Sequence, residues 1–78
     1  MAVKAYILVD ITTGVKTQEI LDELNSIAGV KTAEAVSGPH DIVVVVETAD
    51  LKGLGNLVLS KVRTIMGVTK TITCCCVQ

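Results

Sequence analysis

Two kinds of hydrophobic spacing divide this chain into elements. Val3, Ala5, Ile7, Val9 and Ile11 occupy every second position, with Lys4, Tyr6, Leu8 and Asp10 between them. A period of two predicts a strand with one buried face. The intervening set includes Tyr6 and Leu8, so the second face is mixed and suits contact with another sheet. Thr13-Gly14 ends this strand. From Thr17, Ile20, Leu21, Leu24, Ile27 and Ala28 follow helical spacing. Thr17 is placed to cap that helix, and Gly29 fits the left-handed position past its end. Lys31–Ser37 predicts a short polar strand of small residues, and Gly38-Pro39-His40 a turn.

Asp41–Thr48 is strongly β-branched, with valines on both faces. A strand apolar on both faces is buried on both faces. Parity alone leaves open whether Ile42, Val44 and Val46 or Val43 and Val45 face the helices. Asp50 is placed to cap a second helix, whose inner stripe is Leu54, Leu57, Val58, Val62 and Ile65. Gly53 and Gly55 weaken it intrinsically and suit close packing. Gly67 ends it. Val68–Val77 predicts the last strand, with Thr69, Thr71, Thr73, Cys75 and Val77 on one face. Val68, Lys70, Ile72, Cys74 and Cys76 fall on the other.

The stretch Met66–Thr71 echoes Ile27–Thr32, each closing a helix with glycine and opening a strand. The chain therefore reads as two similar strand–helix–strand halves, roughly Ala2–Ser37 and Asp41–Val77. The expected fold is α+β: a ferredoxin-like βαββαβ domain over residues 1–78, four antiparallel strands with both helices on one face. The bare sheet face is where association is expected. Half of the 78 residues are hydrophobic and one is aromatic. That is more apolar surface than one small core hides, so burial between subunits is expected.

The net charge of −1 comes without a basic stripe or an aromatic platform, which argues against direct nucleic-acid binding. The N-terminus lacks the layout of a signal peptide, and Ile42–Val46 is far too short to span a bilayer. The expected location is the cytoplasm. Cys74, Cys75 and Cys76 are adjacent and suit reduced thiols rather than a disulfide framework. They do not complete a tetrahedral metal site without ligands from elsewhere, so no metal or cofactor is expected. His40 beside Asp41 invites an acid–base role, but no nucleophile accompanies the pair. Gly53-Leu54-Gly55 lacks the third glycine of a nucleotide loop. The threonine row 69, 71, 73 reflects strand propensity or lines a polar site.

At Gly38-Pro39-His40-Asp41-Ile42-Val43 and at Ile65–Thr73 the chain resembles the effector domain of the Lrp/AsnC (feast/famine) transcription regulators. Asp50-Leu51 matches a pair that opens that domain's second helix. The resemblance runs along essentially the whole chain. His40 stands where the family's turn has an aromatic, and Met66 where it has proline. No helix-turn-helix segment precedes the domain in this sequence, so a stand-alone module is expected. The resemblance implies sheet-to-sheet homodimers that assemble into rings, with small effectors, typically amino acids, bound between dimers. Carried over by position, it picks out Gly38, His40, Asp41, Leu51, Cys74, Cys75 and Cys76 as ligand-binding residues, and full-length Lrp/AsnC regulators as partners. The alternatives are a small ferredoxin-like dimeric enzyme and an assembly subunit without a ligand.

Overall fold

Two central strands organise the molecule. The computed structural model describes residues 2–77. In chain order these form β1 (Val3–Ile11), α1 (Thr17–Asn25), β2 (Val30–Ala35), β3 (Ile42–Thr48), α2 (Leu51–Leu57), a π-helical turn (Val58–Val62) and β4 (Val68–Cys75). The strands make one antiparallel sheet ordered β2-β3-β1-β4. This is the ferredoxin-like βαββαβ arrangement expected from the pattern.

In the β1–β3 pair, Val3 lies opposite Thr48 and Val9 opposite Ile42. Opposed residues share a face, so Ala5, Ile7 and Val9 point the same way as Val46, Val44 and Ile42. All six are fully buried. They lie beneath Ile20 and Leu24 of α1, Leu54, Leu57, Val58 and Val62 of the second helical segment, and Ile65 of the turn that follows it. The stripe read from the sequence is buried at all five of those last positions. Register also settles the parity of β3: Val43 and Val45 face away from the helices.

That second face is uncovered within the chain. Val45, Tyr6 and Cys74 form one row across β3, β1 and β4, and Val43, Leu8 and Ile72 form the next. Tyr6 is 39% exposed and Ile72 36%. Charges frame this block, with Glu47 and Lys4 beyond one row and Asp10 and Lys70 beyond the other. The Lys4 Nζ lies 5.5 Å from the Tyr6 ring centroid, a cation–π contact.

Several expectations are corrected. Thr17 is the first residue of α1, not its cap; Lys16 holds the cap position and makes no side-chain capping bond. α1 stops at Asn25 because Ser26 diverts the ladder: its Oγ donates to the Glu23 carbonyl at 2.7 Å. Ile27 and Ala28 therefore lie in the following turn, Ile27 packed on the core and Ala28 exposed. β2 begins and ends earlier than Lys31–Ser37, and β4 stops at Cys75 rather than Val77. Asp50 does cap α2, its Oδ1 accepting from the Gly53 N–H at 2.7 Å. A β-carbon at Gly53 would crowd that carboxylate at 3.1 Å, whereas Gly55 faces open space and serves no packing within the chain.

Val68 is the larger correction. Strict alternation put it beside Lys70 on the bare face. A β-bulge intervenes at Thr69: Asp10 faces Lys70, but Ile11 faces Val68. The extra residue turns Val68 towards the core, where it packs with Ile11. A matching irregularity falls at Lys31, between Val30 and Thr32. The two bulges occupy the same place in the two halves, each two residues after a glycine.

Those glycines, Gly29 (φ 97°) and Gly67 (φ 100°), sit in the left-handed region. A β-carbon on Gly29 would lie 2.9 Å from Leu57 Cδ1. One on Gly67 would lie 3.0 Å from Val15 Cγ1 and 3.2 Å from Ile20 Cδ1. Each half's glycine is thus pressed against the other half. Their carbonyls are also taken across the sheet, by the Glu47 N–H (to Gly29) and the Thr12 N–H (to Gly67), both at 2.8 Å. Gly29→Ala and Gly67→Ala should each lose ~1–3 kcal/mol of stability from backbone strain and crowding. Gly55→Ala should gain about 0.5–1 kcal/mol by removing helix entropy. Urea unfolding of the three variants checks the contrast.

Candidate functional site

Asp41 is the knot of the turn before β3. Its carbonyl accepts from the Val36 N–H at 2.9 Å, and its own N–H donates to the Val9 carbonyl at 3.0 Å. Its Oδ2 accepts from the Ile11 N–H at 2.9 Å. One residue thereby ties the end of β2 to two points, Val9 and Ile11, on the β3-facing edge of β1. The chain between Val36 and Asp41 carries Gly38, around which there is open space.

His40 leans the other way. Its Nδ1 lies 3.0 Å from Asp10 Oδ1, with the two side chains 22% and 27% exposed. A carboxylate only accepts, so Nδ1 carries the hydrogen and donates it. Sequence reasoning set His40 beside Asp41; the structure pairs it with Asp10, thirty positions away. The signal for Asp10 was its place as the last bare-face residue of β1, which becomes informative only with the register known.

The other candidate residues lie farther along the sheet, Leu51 at its opposite end and the cysteines from mid-strand towards that end. Leu51 opens α2 just after Thr48, the partner of Val3, and is 66% exposed. Cys74, Cys75 and Cys76 are free and exposed. Cys74 opposes Tyr6 and Cys75 opposes Ala5, while the Cys76 N–H donates to the Lys4 carbonyl at 2.9 Å. Cys74 and Cys76 therefore belong to the bare face and Cys75 to the helix side. Among the described residues, no group of three or more His, Cys, Asp and Glu side chains is placed to hold a metal ion. Of the threonine row, Thr69 is already engaged, its Oγ1 donating to the Asp10 carbonyl at 3.2 Å.

Gly38, His40 and Asp41 thus form one group, and Leu51 with the cysteines another. Leu51 lies the length of β3 from Asp41, about 20 Å at 3.3 Å per residue, whereas Cys74, in the Tyr6–Val45 row, is about 13 Å along the strand from the Asp10–Lys70 row. Within one chain the two groups do not meet.

The profile of the Lrp/AsnC ligand binding domain matches residues 4–78. The chain belongs to this family. An uncharacterised HTH-type transcriptional regulator of Pyrococcus furiosus is 32% identical over 71 residues, covering 88% of this chain and 47% of that protein. The chain thus spans about half the length of the curated HTH-type regulators it matches. A segment of homocitrate synthase from Sulfurisphaera tokodaii is 35% identical over 71 residues, covering 91% of this chain and 15% of the enzyme. The crystal structure of FFRP-DM1 superposes with a TM-score of 0.88 at 33% identity, over 96% of this chain and 99% of that one. A transcriptional regulator from Neisseria meningitidis, in complex with L-Met, shares the fold. Its TM-score is 0.88 at 18% identity, over 97% of this chain and 50% of that one. Residues 4–78 are thus an Lrp/AsnC ligand-binding domain.

Asp41→Ala leaves the Ile11 N–H without its acceptor and should lower stability by ~1–2 kcal/mol. Asp41→Asn keeps an acceptor oxygen there and should recover most of that loss. Chemical denaturation of both variants distinguishes acceptor loss from charge loss.

Proposed function

We propose that the chain is an oligomeric sensor of a small effector, an amino acid or a close chemical relative, which adjusts Lrp/AsnC transcription regulators by assembling with them. The separation of the candidate residues carries this reading. Each copy offers its turn group at one end of the sheet and Leu51 with the cysteines beyond the middle, so a complete pocket forms only where copies meet. Amides of the Gly38 turn suit an effector carboxylate. Asp41 suits its ammonium: Oδ2 is held by Ile11, and Oδ1 has no partner among the described residues. Leu51, Cys74, Cys75 and Cys76 of another copy supply the apolar wall. The L-Met complex of the Neisseria regulator supports an amino-acid ligand on this fold.

The bare sheet face is the surface on which two copies pair. Its two rows of apolar residues framed by charge suit burial against a second identical sheet. In this reading the module works in the cytoplasm and touches no DNA itself. No helix of the described residues is long and apolar enough to cross a membrane. A second reading rests on the homocitrate synthase match: the same domain occurs within an enzyme, so a separate copy is equally suited to regulate an enzyme partner.

A thermal-shift screen of the common amino acids tests the sensor. A true effector at 100 times its dissociation constant should stabilise by ~2.7 kcal/mol. Asp41→Ala should then weaken that effector by ~1–3 kcal/mol while the dimer persists. An unchanged affinity would leave Asp41 a purely structural knot, and silence across the whole screen would favour an assembly subunit without a ligand. Val45→Asp places an unpaired charge in the paired face and should convert the assembly to 8.2 kDa monomers or unfold it. Sedimentation equilibrium reads the mass; a Val45→Asp protein that keeps the wild-type mass would sink the pairing.

A further inference from the structure

The near-neutral net charge conceals a division along the chain. Residues 51–78 contain Lys52, Lys61, Arg63 and Lys70 and no Asp or Glu. Arg63, the sole arginine, and Lys70 line one cleft of about 320 Å³ with Val68, Thr69 and Thr71. The cleft runs along the free edge of β4, the outermost strand of the sheet.

Two backbone irregularities border it. The π-helical turn ends at Arg63, whose N–H reaches back to the Val58 carbonyl at 2.9 Å. The β-bulge falls at Thr69. Both kinds of irregularity re-aim side chains and recur at functional sites. The cleft is also rich in donors. Lys70 opposes Asp10, and in an antiparallel ladder the inward-bonding positions alternate with outward ones. The N–H of Thr71 therefore points to the free edge, beside its own hydroxyl.

The internal duplication sharpens the contrast. In the first half, the bulge residue Lys31 is paired with Glu47 at 3.5 Å, and Glu47 is the residue whose N–H bonds Gly29. In the second half the bulge residue is Thr69 and the residue that bonds Gly67 is Thr12, so neither member of that ion pair recurs. Asp10 is the carboxylate across from Lys70, but its Oδ1 is engaged by His40. Among the described residues neither Arg63 nor Lys70 has an ion-pair partner within 4.0 Å.

We propose that this cleft binds a phosphate-type oxyanion carried by a small molecule. Arg63 supplies the planar fork, Lys70 a point charge, and Thr71 a hydroxyl and a backbone N–H. The site lies one strand across from the Gly38–Asp41 turn, with Lys70 opposing the Asp10 that His40 holds, and does not depend on the amino-acid reading.

The test is a titration of the full chain with inorganic phosphate, followed by amide and arginine side-chain NMR signals at matched ionic strength. Saturable shifts largest at Arg63 and residues 69–71, and smaller at Gly38–Asp41, are expected. Arg63→Gln and Lys70→Gln should each raise the dissociation constant at least ~10-fold. Both side chains are exposed, so neither change threatens the core, and either variant alone suffices. Chloride producing the same shifts, no saturation at residues 63–71, or an unchanged constant in the variants would overturn the proposal. Tighter and steeply salt-dependent binding of a DNA duplex at the same residues would also overturn it, in favour of a nucleic-acid backbone.

Discussion

The β1–β3 pair has two apolar faces, and the chain supplies helices for only one. Everything else in the structure follows from that imbalance. Ala5, Ile7, Val9, Ile42, Val44 and Val46 are fully buried under the helices. Tyr6, Leu8, Val43, Val45 and Ile72 line the other side without cover from the same chain. Fully burying a valine or leucine contributes roughly 1.5–3 kcal/mol. A domain of this size hides only ~60% of its unfolded surface alone. Covering the second face is therefore part of stability as well as of assembly, and protomer concentration enters the folding equilibrium.

The helix-covered side is held together by reciprocity. Gly29 abuts Leu57 of the second half, and Gly67 abuts Val15 and Ile20 of the first. Each glycine carbonyl is bonded by the end of the other half's leading strand. The same bulge follows each glycine, so each half enters its second strand in the same way. Duplication gives a frame in which departures stand out. The candidate effector turn, with Asp41 joining three strands, and the acid-free end of α2 and β4 are where the halves differ in chemistry.

Much of this was legible in the sequence. Periods of two and of 3.6 placed every strand and both helices, and Leu54, Leu57, Val58, Val62 and Ile65 were read correctly as one buried stripe. Asp50 was read correctly as a cap, and Gly29 and Gly67 as left-handed positions, although each glycine lies several residues past its helix end. What escaped depends on single-residue slips or on long-range register. Thr69 looks like any strand threonine, yet as a bulge it moves Val68 to the opposite face. Ser26, whose hydroxyl turns back to Glu23, ended α1 before the apolar spacing ran out. His40 found Asp10 rather than its neighbour Asp41, a pairing invisible until β1 and β3 are aligned. The candidate site was legible as residues but not as a place. Only topology puts Gly38, His40 and Asp41 at one end of the sheet, Leu51 at the other, and Cys74, Cys75 and Cys76 on the edge strand from mid-sheet onward.

The three adjacent cysteines offer a direct reading of which face is covered. Cys74 stands in the apolar block beside Tyr6, whereas Cys75 opposes Ala5 on the other side of an edge strand. Site-resolved alkylation rates of the native protein, measured by mass spectrometry, compare the two within one molecule. If a second copy covers the bare face, Cys74 should react markedly more slowly than Cys75 and should lose that protection on dilution. Equal rates for Cys74 and Cys75 at every protein concentration would contradict the account.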